Sequence, residues 1–439
     1  MVVASLRDEV VGLLQELIRL DTVNPPGNET RAAELLRNYL EENGVECELY
    51  AKVPERANLV ARIPGRGGPR LALLSHTDTV LADPTEWQVD PWSGELRDEH
   101  VWGRGALDMK GQTAASAVAV ASLAREGFQP AGDLIFIAAA DEEVGVEFGL
   151  SWLCEEHPDA VHAEYAINEG AGDRVELGDR AFYLCSTAEK MTSPFMLRVR
   201  GRSGHASMPA IADNALVKAA RMIESLGEFT PEPRLEPEVS AFFEAVTGVA
   251  PDDAAQVLEL ARAVDPLAAE LVEPLVGMTV APTMIGASQK RNVIPALCEV
   301  TVDCRLLPGQ TQAEAEPVLR ELLGEGDYEL EWLEAHGGTR SPLEGPLWEA
   351  INSWVAETEP GAAVGPICLA GFTDSHWLRA AFGTVAYGFF PLRHMDPQLA
   401  TRLVHSADER VHVADLELGV EFLRFAARDL TERLTSERG

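Results

Sequence analysis

The chain reads as an α/β protein built from a discontinuous, mostly parallel sheet domain with helices on both faces and a smaller inserted unit. Three observations predict this. Apolar runs at Ala57 to Ile63, Leu71 to Leu74, Leu134 to Ala140 and Tyr165 to Ile167 are separated in several places by helical stretches, notably after Gly111 and from about Gly149 to Glu156. Strands that alternate with helices argue for a sheet covered on both faces. Near Ser193 the order changes to strand (Phe195 to Arg200), helix (Asp213 to Leu226), strand (Met278 to Gly286), strand (Leu297 to Arg305), helix (Thr311 to Leu323) and strand (Tyr328 to Leu333), a ferredoxin-like βαββαβ pattern. From Thr339 the α/β pattern returns, with a helix near Leu347 to Glu357, a strand near Thr384 to Phe390 and a last helix from Asp415 to Leu434. The expected boundaries are therefore 1–192 and 338–439 for the sheet domain and 193–337 for the inserted one. Within the latter, the stretch 229–275, rich in Pro, Glu and Ala, reads as a partly helical insertion.

The first element is an amphipathic helix, because Val10, Val11, Leu13, Leu14, Leu17 and Ile18 recur at helical spacing between Arg7, Glu9 and Glu16. It lacks the basic start, apolar block and small-residue cleavage site of a secretory leader, so a cytoplasmic location is the expectation. The turn Asn24-Pro25-Pro26-Gly27 ends it, and a second helix is expected from about Thr30 to Asn43.

Composition narrows the function. The 439 residues carry 71 acidic and 36 basic side chains, a net charge of −35. Such a surface repels nucleic acid and anionic membranes, and no apolar run approaches the length of a membrane span. The six cysteines (Cys47, Cys154, Cys185, Cys298, Cys304, Cys368) form no CxxC pair, so free thiols are expected rather than a disulfide framework or a thiolate metal site.

The chemistry is carried by acid- and histidine-bearing segments. In open α/β sheets, ligands bind beyond the carboxyl ends of the strands. There the sequence places Ser75-His76-Thr77-Asp78, Asp141-Glu142-Glu143 and Asn168-Glu169-Gly170. Trp102-Gly103-Arg104-Gly105-Ala106-Leu107-Asp108-Met109-Lys110-Gly111 sets an aspartate between glycine-bracketed turns, and His405-Ser406-Ala407-Asp408-Glu409 adds a late histidine. Taken singly, His76 and His405 read as ordinary polar residues, Asp78 as a turn cap, and Glu142 with Glu143 as surface charge. Their joint occurrence, with three of the clusters at strand ends, points to a metal site. A His/carboxylate set without cysteine suits zinc, cobalt or manganese in an open hydrolytic site. Two such metals, roughly 3.5–4 Å apart and bridged by a carboxylate and a water, would supply hydroxide at neutral pH, and a neighbouring carboxylate could shuttle the proton.

These motifs, with Gly201-Arg202-Ser203-Gly204-His205-Ala206 and Asn292-Val293-Ile294-Pro295, resemble the co-catalytic metallopeptidase and amidohydrolase family of acetylornithine deacetylase, succinyl-diaminopimelate desuccinylase, aminoacylase-1 and carboxypeptidase G. The resemblance spans the chain. It implies that Asp108 bridges two divalent ions, zinc foremost, with His76 and Glu169 completing one site and Glu143 and His405 the other. It gives Glu142 the role of general base beside a metal-bound hydroxide, and Asp78 that of orienting His76. The inserted unit would be a lid and dimerisation domain, making the protein a homodimer. His205, by residues alone a loop histidine next to glycine, would stabilise the oxyanion. Asn292 and Arg305 would hold a substrate carboxylate, although Arg305 reads equally as a strand-end salt bridge. Gly371 and Thr373 match a loop along the substrate pocket, while His376 stands where relatives often carry arginine. The expected activity is hydrolysis of an amide or peptide bond in a small N-acyl amino acid or peptide with a free carboxylate. A dipeptidase or carboxypeptidase stands beside a deacylase, and a non-catalytic scaffold is the reading from another class.

Overall fold

The computed structural model describes residues 5–145, 147–178, 180–264, 272–334 and 336–436. Two compact units emerge: one from the described residues of Met1–Thr187, Ser341–Ile367 and Thr373–Gly439, the other from Ala188–Arg340 with Cys368–Phe372.

The first unit is built on a sheet whose centre is parallel. Strands Leu134–Ala139, Leu71–His76, Tyr165–Asn168 and Val385–Gly388 lie side by side in that order, each parallel to the next. Antiparallel strands extend it, Ala57–Ile63 and then Glu46–Ala51 on one side and Arg180–Glu189 on the other. The two strands Leu71–His76 and Leu134–Ala139 are buried along their whole length. That is why they read as unbroken apolar runs rather than as alternation. Helix Lys110–Arg125 is likewise buried from Lys110 to Leu123. Its Ala, Ser, Gly and Val side chains are small enough for the helices Leu6–Ile18 and Val413–Ser436 to pack closely on it. Around it Leu14, Leu17, Phe136, Phe389 and Phe422 form one continuous core.

The second unit carries the expected βαββαβ order. Its antiparallel sheet runs Thr279–Gly286, Leu297–Leu306, Phe195–Arg200, Tyr328–Trp332. Strand Leu297–Leu306 alternates buried and half-buried residues, presenting Cys298, Val300, Val302 and Cys304 to a core shared with helices Ala215–Gly227 and Gln312–Leu323. Thr311 and Glu314 close a capping box at the start of the latter helix. The insertion forms helices Pro237–Thr247 and Ala254–Val264 around its own small cluster of Val239, Ala254, Val257 and Leu258. Residues 265–271 of the insertion lie outside the described part. All six cysteines are free thiols. No helix among the described residues is long and apolar enough to cross a membrane.

Candidate metal centre

The strand ends of the first unit gather the sequence-predicted residues. His76, the last residue of its strand, is 1 % exposed. Its Nδ1 lies 3.1 Å from the main-chain carbonyl of Asp78. A carbonyl only accepts, so Nδ1 carries a hydrogen, and Nε2 is the ring nitrogen that can give up its proton to bind a cation. That Nε2 faces Asp108 Oδ1 at 3.2 Å and Glu169 Oε1 at 3.4 Å, with Glu142 Oε2 at 3.9 Å.

Asp108 divides its oxygens. While Oδ1 faces His76, Oδ2 is 2.9 Å from His405 Nε2, which is also 3.1 Å from Glu143 Oε2. Two overlapping donor groups result, His76–Asp108–Glu169 and Asp108–Glu143–His405, and the candidate ligand atoms within each lie within 4.8 Å of one another. His405 is held at φ +59° and Asp141 at φ +63°, a region costly for non-glycine residues. Close packing dictates the glycines nearby: a Cβ at Gly388 would lie 2.1 Å from the Glu169 carbonyl oxygen, and one at Gly111 2.3 Å from that of Ala106.

Asp78 does more than adjoin His76, whose Nδ1 stands 3.4 Å from its carboxylate. That carboxylate accepts the main-chain N–H groups of Glu142 (3.2 Å) and Glu143 (3.1 Å), and the amide of Asn24 (2.9 Å). It thereby fixes the turn that presents both glutamates. Behind it Asn24 also reaches Asp141 (2.9 Å), and Arg56 joins Glu29 (2.6 Å) to Asp141 (2.9 Å) in a buried ionic network.

Sequence reasoning passed over several of these supports. Glu409 and Arg104 (2.6 Å apart) brace the Asp108 loop, and buried Lys110 donates to the carbonyls of Leu17 (3.0 Å) and Leu20 (2.9 Å). All three stand inside the segments quoted above, and a charged residue in a Gly- or apolar-rich run is the signal that could have found them. Burial pushes the Lys110 ammonium down to about 7.

The electrostatics match a missing positive charge. Burial pushes Glu142 well above the usual carboxylate range, and the charges of Glu169, Asp374 and Asp108 add to it. Burial also lifts Glu143 and takes Glu169 to about 7. Hydrogen bonds to Asp108 and Glu143 raise His405 to about 10. Although burial opposes its charged form, His76 is raised well above its ordinary value by Glu169, Asp108 and Asp78. Asp108 is held low despite its burial, by hydrogen bonds from His405 and His76. Five carboxylates thus crowd two histidines. Glu143 Oε1 is moreover buried with no hydrogen-bond partner among the described residues, an acceptor normally satisfied in a folded interior. Nitrogen and oxygen donors, excess negative charge and an orphaned oxygen all fit divalent cations.

The remaining sequence-predicted residues fall into local groups. Thr373 Oγ1 accepts from Asn168 Nδ2 at 3.2 Å, directly before Glu169. In the second unit His205 is exposed, with Nδ1 2.7 Å from Ser207 Oγ. It is adjacent to Ala206, whose N–H is accepted by the Asn292 carbonyl at 3.0 Å. Arg305 pairs with Asp303 at 3.1 Å, as the salt-bridge reading had it, and Gly371 lies beside its guanidinium.

Parallel strand ends and the Asp108 and His405 loops, which together bring two histidine–carboxylate groups sharing one aspartate, have the form of a metallohydrolase. The chain belongs to the peptidase family M20/M25/M40, whose family model matches residues 72–429. With that family it is a hydrolase acting on amide or peptide bonds, and the resemblance drawn from its motifs holds. Aminoacylase-1 of Sus scrofa is 27% identical over 424 residues, covering 94% of this chain and 92% of the relative. A succinyl-diaminopimelate desuccinylase of Cereibacter sphaeroides is 28% identical over 424 residues, covering 93% and 95%. In fold, the crystal structure of an M20 family metallo-carboxypeptidase from Sulfolobus solfataricus matches with a TM-score of 0.73 at 17% identity, over 97% of this chain and 100% of that one.

Proposed function

We propose that the protein is a dinuclear metal-dependent hydrolase that cleaves the amide bond of a small N-acyl amino acid or peptide bearing a free carboxylate. The observation that carries this reading is the divided aspartate, Asp108 turning one oxygen toward His76 and the other toward His405. His76 and Glu169 would hold one ion, Glu143 and His405 the other, and Asp108 both. Zinc suits this donor set first, with cobalt or manganese as substitutes. When bound, such ions polarise the scissile carbonyl and acidify an attacking water.

The chain's own groups manage the proton and the substrate. Glu142, lifted by burial, is suited to take a proton from water and hand it to the leaving amine. Asp78 keeps Nδ1 of His76 protonated through its main-chain carbonyl, and holds the turn of Glu142 in place. On the family resemblance, His205 donates to the developing oxyanion. Asn292, Arg305, Gly371 and Thr373 then serve substrate binding, the planar guanidinium of Arg305 suiting a carboxylate.

The same reading makes the protein a homodimer through its second unit. Support comes from exposed Leu216 and Val217 on one helix and Met284 and Ile285 on the strand Thr279–Gly286, which pairs only with Leu297–Leu306 among the described residues. An open strand edge with apolar neighbours invites a partner.

The test is a metal-replete hydrolysis screen of N-acetyl amino acids, N-succinyl diamino acids and dipeptides with wild type and Glu142→Ala. Turnover that collapses in the variant while both proteins keep about two ions per chain supports the reading. A wild type that takes up no divalent metal overturns it.

A further inference from the structure

Beside the candidate metal centre, within the first unit, lies a pocket of about 340 Å³. Asp108 and Glu169 stand in its wall, so it adjoins the candidate metal centre. The remainder of the wall is chiefly apolar, with Leu107, Phe390, Leu392, Ala400, Val404 and Val411. Phe390, Ala400 and Val411 are themselves buried, at 8%, 5% and 1% exposure, while Thr401 and Val404 are exposed, so this is an open cleft with a buried floor. An apolar cavity of about 150 Å³ accepts a benzene ring, so the present one has room for an aromatic ring or a chain of several carbons.

The charged groups in the wall are all acidic. Asp173 joins Asp108 and Glu169, and among the described residues no lysine, arginine or histidine lines the pocket. A carboxylate placed in this cleft away from the ions would lose its hydration and meet Asp173 with no basic side chain of the wall to pair it. The carboxylate-bearing side of the substrate therefore lies elsewhere, which leaves the pocket to the acyl side.

From this we infer that the pocket receives the acyl group of the scissile amide and selects a neutral, apolar acyl chain or ring over a dicarboxylic one. The inference rests on the hydrolase reading above and adds its substrate class. In the reaction, the oxygen of water joins the acyl carbon and the C–N bond breaks. The proton passes to the amine, releasing an apolar carboxylic acid and a free amino acid. Succinyl amides, the substrates named for one set of relatives, would be poor substrates because their second carboxylate would enter this acidic, apolar space.

The measurement is kcat/KM for the metal-replete enzyme on one amino acid carrying N-acetyl, N-butanoyl, N-hexanoyl, N-benzoyl or N-succinyl groups, with dipeptides in parallel. Butanoyl and succinyl have equal carbon counts, and a deficit of roughly 100-fold or more is expected for succinyl, since a carboxylate left unpaired in such a site is heavily penalised. Two variants read the pocket through ratios, which cancel any general loss of activity. Ala400→Phe should lower the hexanoyl-to-acetyl ratio by about tenfold or more through lost space. Thr401→Arg, on an exposed lining residue, should raise the succinyl-to-butanoyl ratio by about tenfold by adding the absent cation. Succinyl hydrolysed as well as butanoyl, or ratios unmoved in the folded variants, would overturn the inference alone. No turnover across acyl amino acids and dipeptides would overturn the hydrolase reading and this inference with it.

Discussion

Glu409 holds the backbone of Asp108. Its Oε1 accepts the main-chain N–H groups of Leu107 at 2.7 Å and Asp108 at 3.1 Å, while Oε2 accepts from Gly105 at 3.1 Å and Arg104 at 2.6 Å. One fully buried carboxylate four residues past His405 thus positions the aspartate whose Oδ2 faces that histidine. Glu409→Gln keeps the shape but weakens four contacts at once. The expected result is a loss of roughly 10–100-fold in metal affinity or kcat/KM, read by competition with a zinc chelator, with little change in the circular dichroism spectrum.

His405 belongs to one donor group and His76 to the other, and of the two His76 is the buried one. Because His405 is 52% exposed in its side chain, His405→Ala should fold normally. Metal content after gel filtration should fall from about two ions per chain to about one, and kcat/KM by roughly 100-fold or more. Retention of both ions would remove His405 from the ligand set.

Arg56 sits between Glu29 and Asp141, its side chain 8% exposed. Arg56→Met strands two buried carboxylates, a change that costs roughly 3–5 kcal/mol. Urea denaturation should register this loss. Adding Glu29→Gln to Arg56→Met should restore part of it, which a double-mutant cycle would quantify.

Burial pushes Asp173 from 3.8 up to about 6. Between those values the folded chain binds more protons than the unfolded chain, so this group's contribution to stability falls as pH rises through that window. Above it the buried charge is a standing cost. Asp173→Asn should therefore raise the thermal midpoint at pH 7.5 by about 1–3 °C, and the gain should vanish by about pH 4. A gain that is equal at both pH values would place its origin elsewhere.

The parallel centre of the sheet was legible because strands buried on both faces read as unbroken apolar runs, Leu71–His76 ending on a histidine and Leu134–Ala139 leading through Ala140 into Asp141-Glu142-Glu143. Strand Glu46–Ala51 was not, since its outer position leaves only exposed and half-buried residues and an alternation too weak to stand out. Strand Arg180–Glu189 hid for the opposite reason: Ser186, Thr187 and Glu189 are buried polar residues inside it. Helix Ser375–Phe382 also escaped, because Ser375, His376 and Arg379 are buried by their surroundings and mask its apolar face. Arg379, for one, donates to Ser341 and to the carbonyl of Ala386.

By itself the sequence determined the chemistry available: histidines and carboxylates at strand ends and in loops, no thiolate pair, and motifs specific enough to indicate a family. These are properties of residue type and local spacing, and local spacing survives translation into strands and turns. Only the tertiary structure decided which oxygen of Asp108 faces which histidine, that Asp78 carries the turn of Glu142 and Glu143, and that Glu409 supports the Asp108 loop. Those relationships join residues as many as 305 positions apart. They depend on sheet order and on tenths of an ångström in packing, and a linear pattern of residue types holds neither.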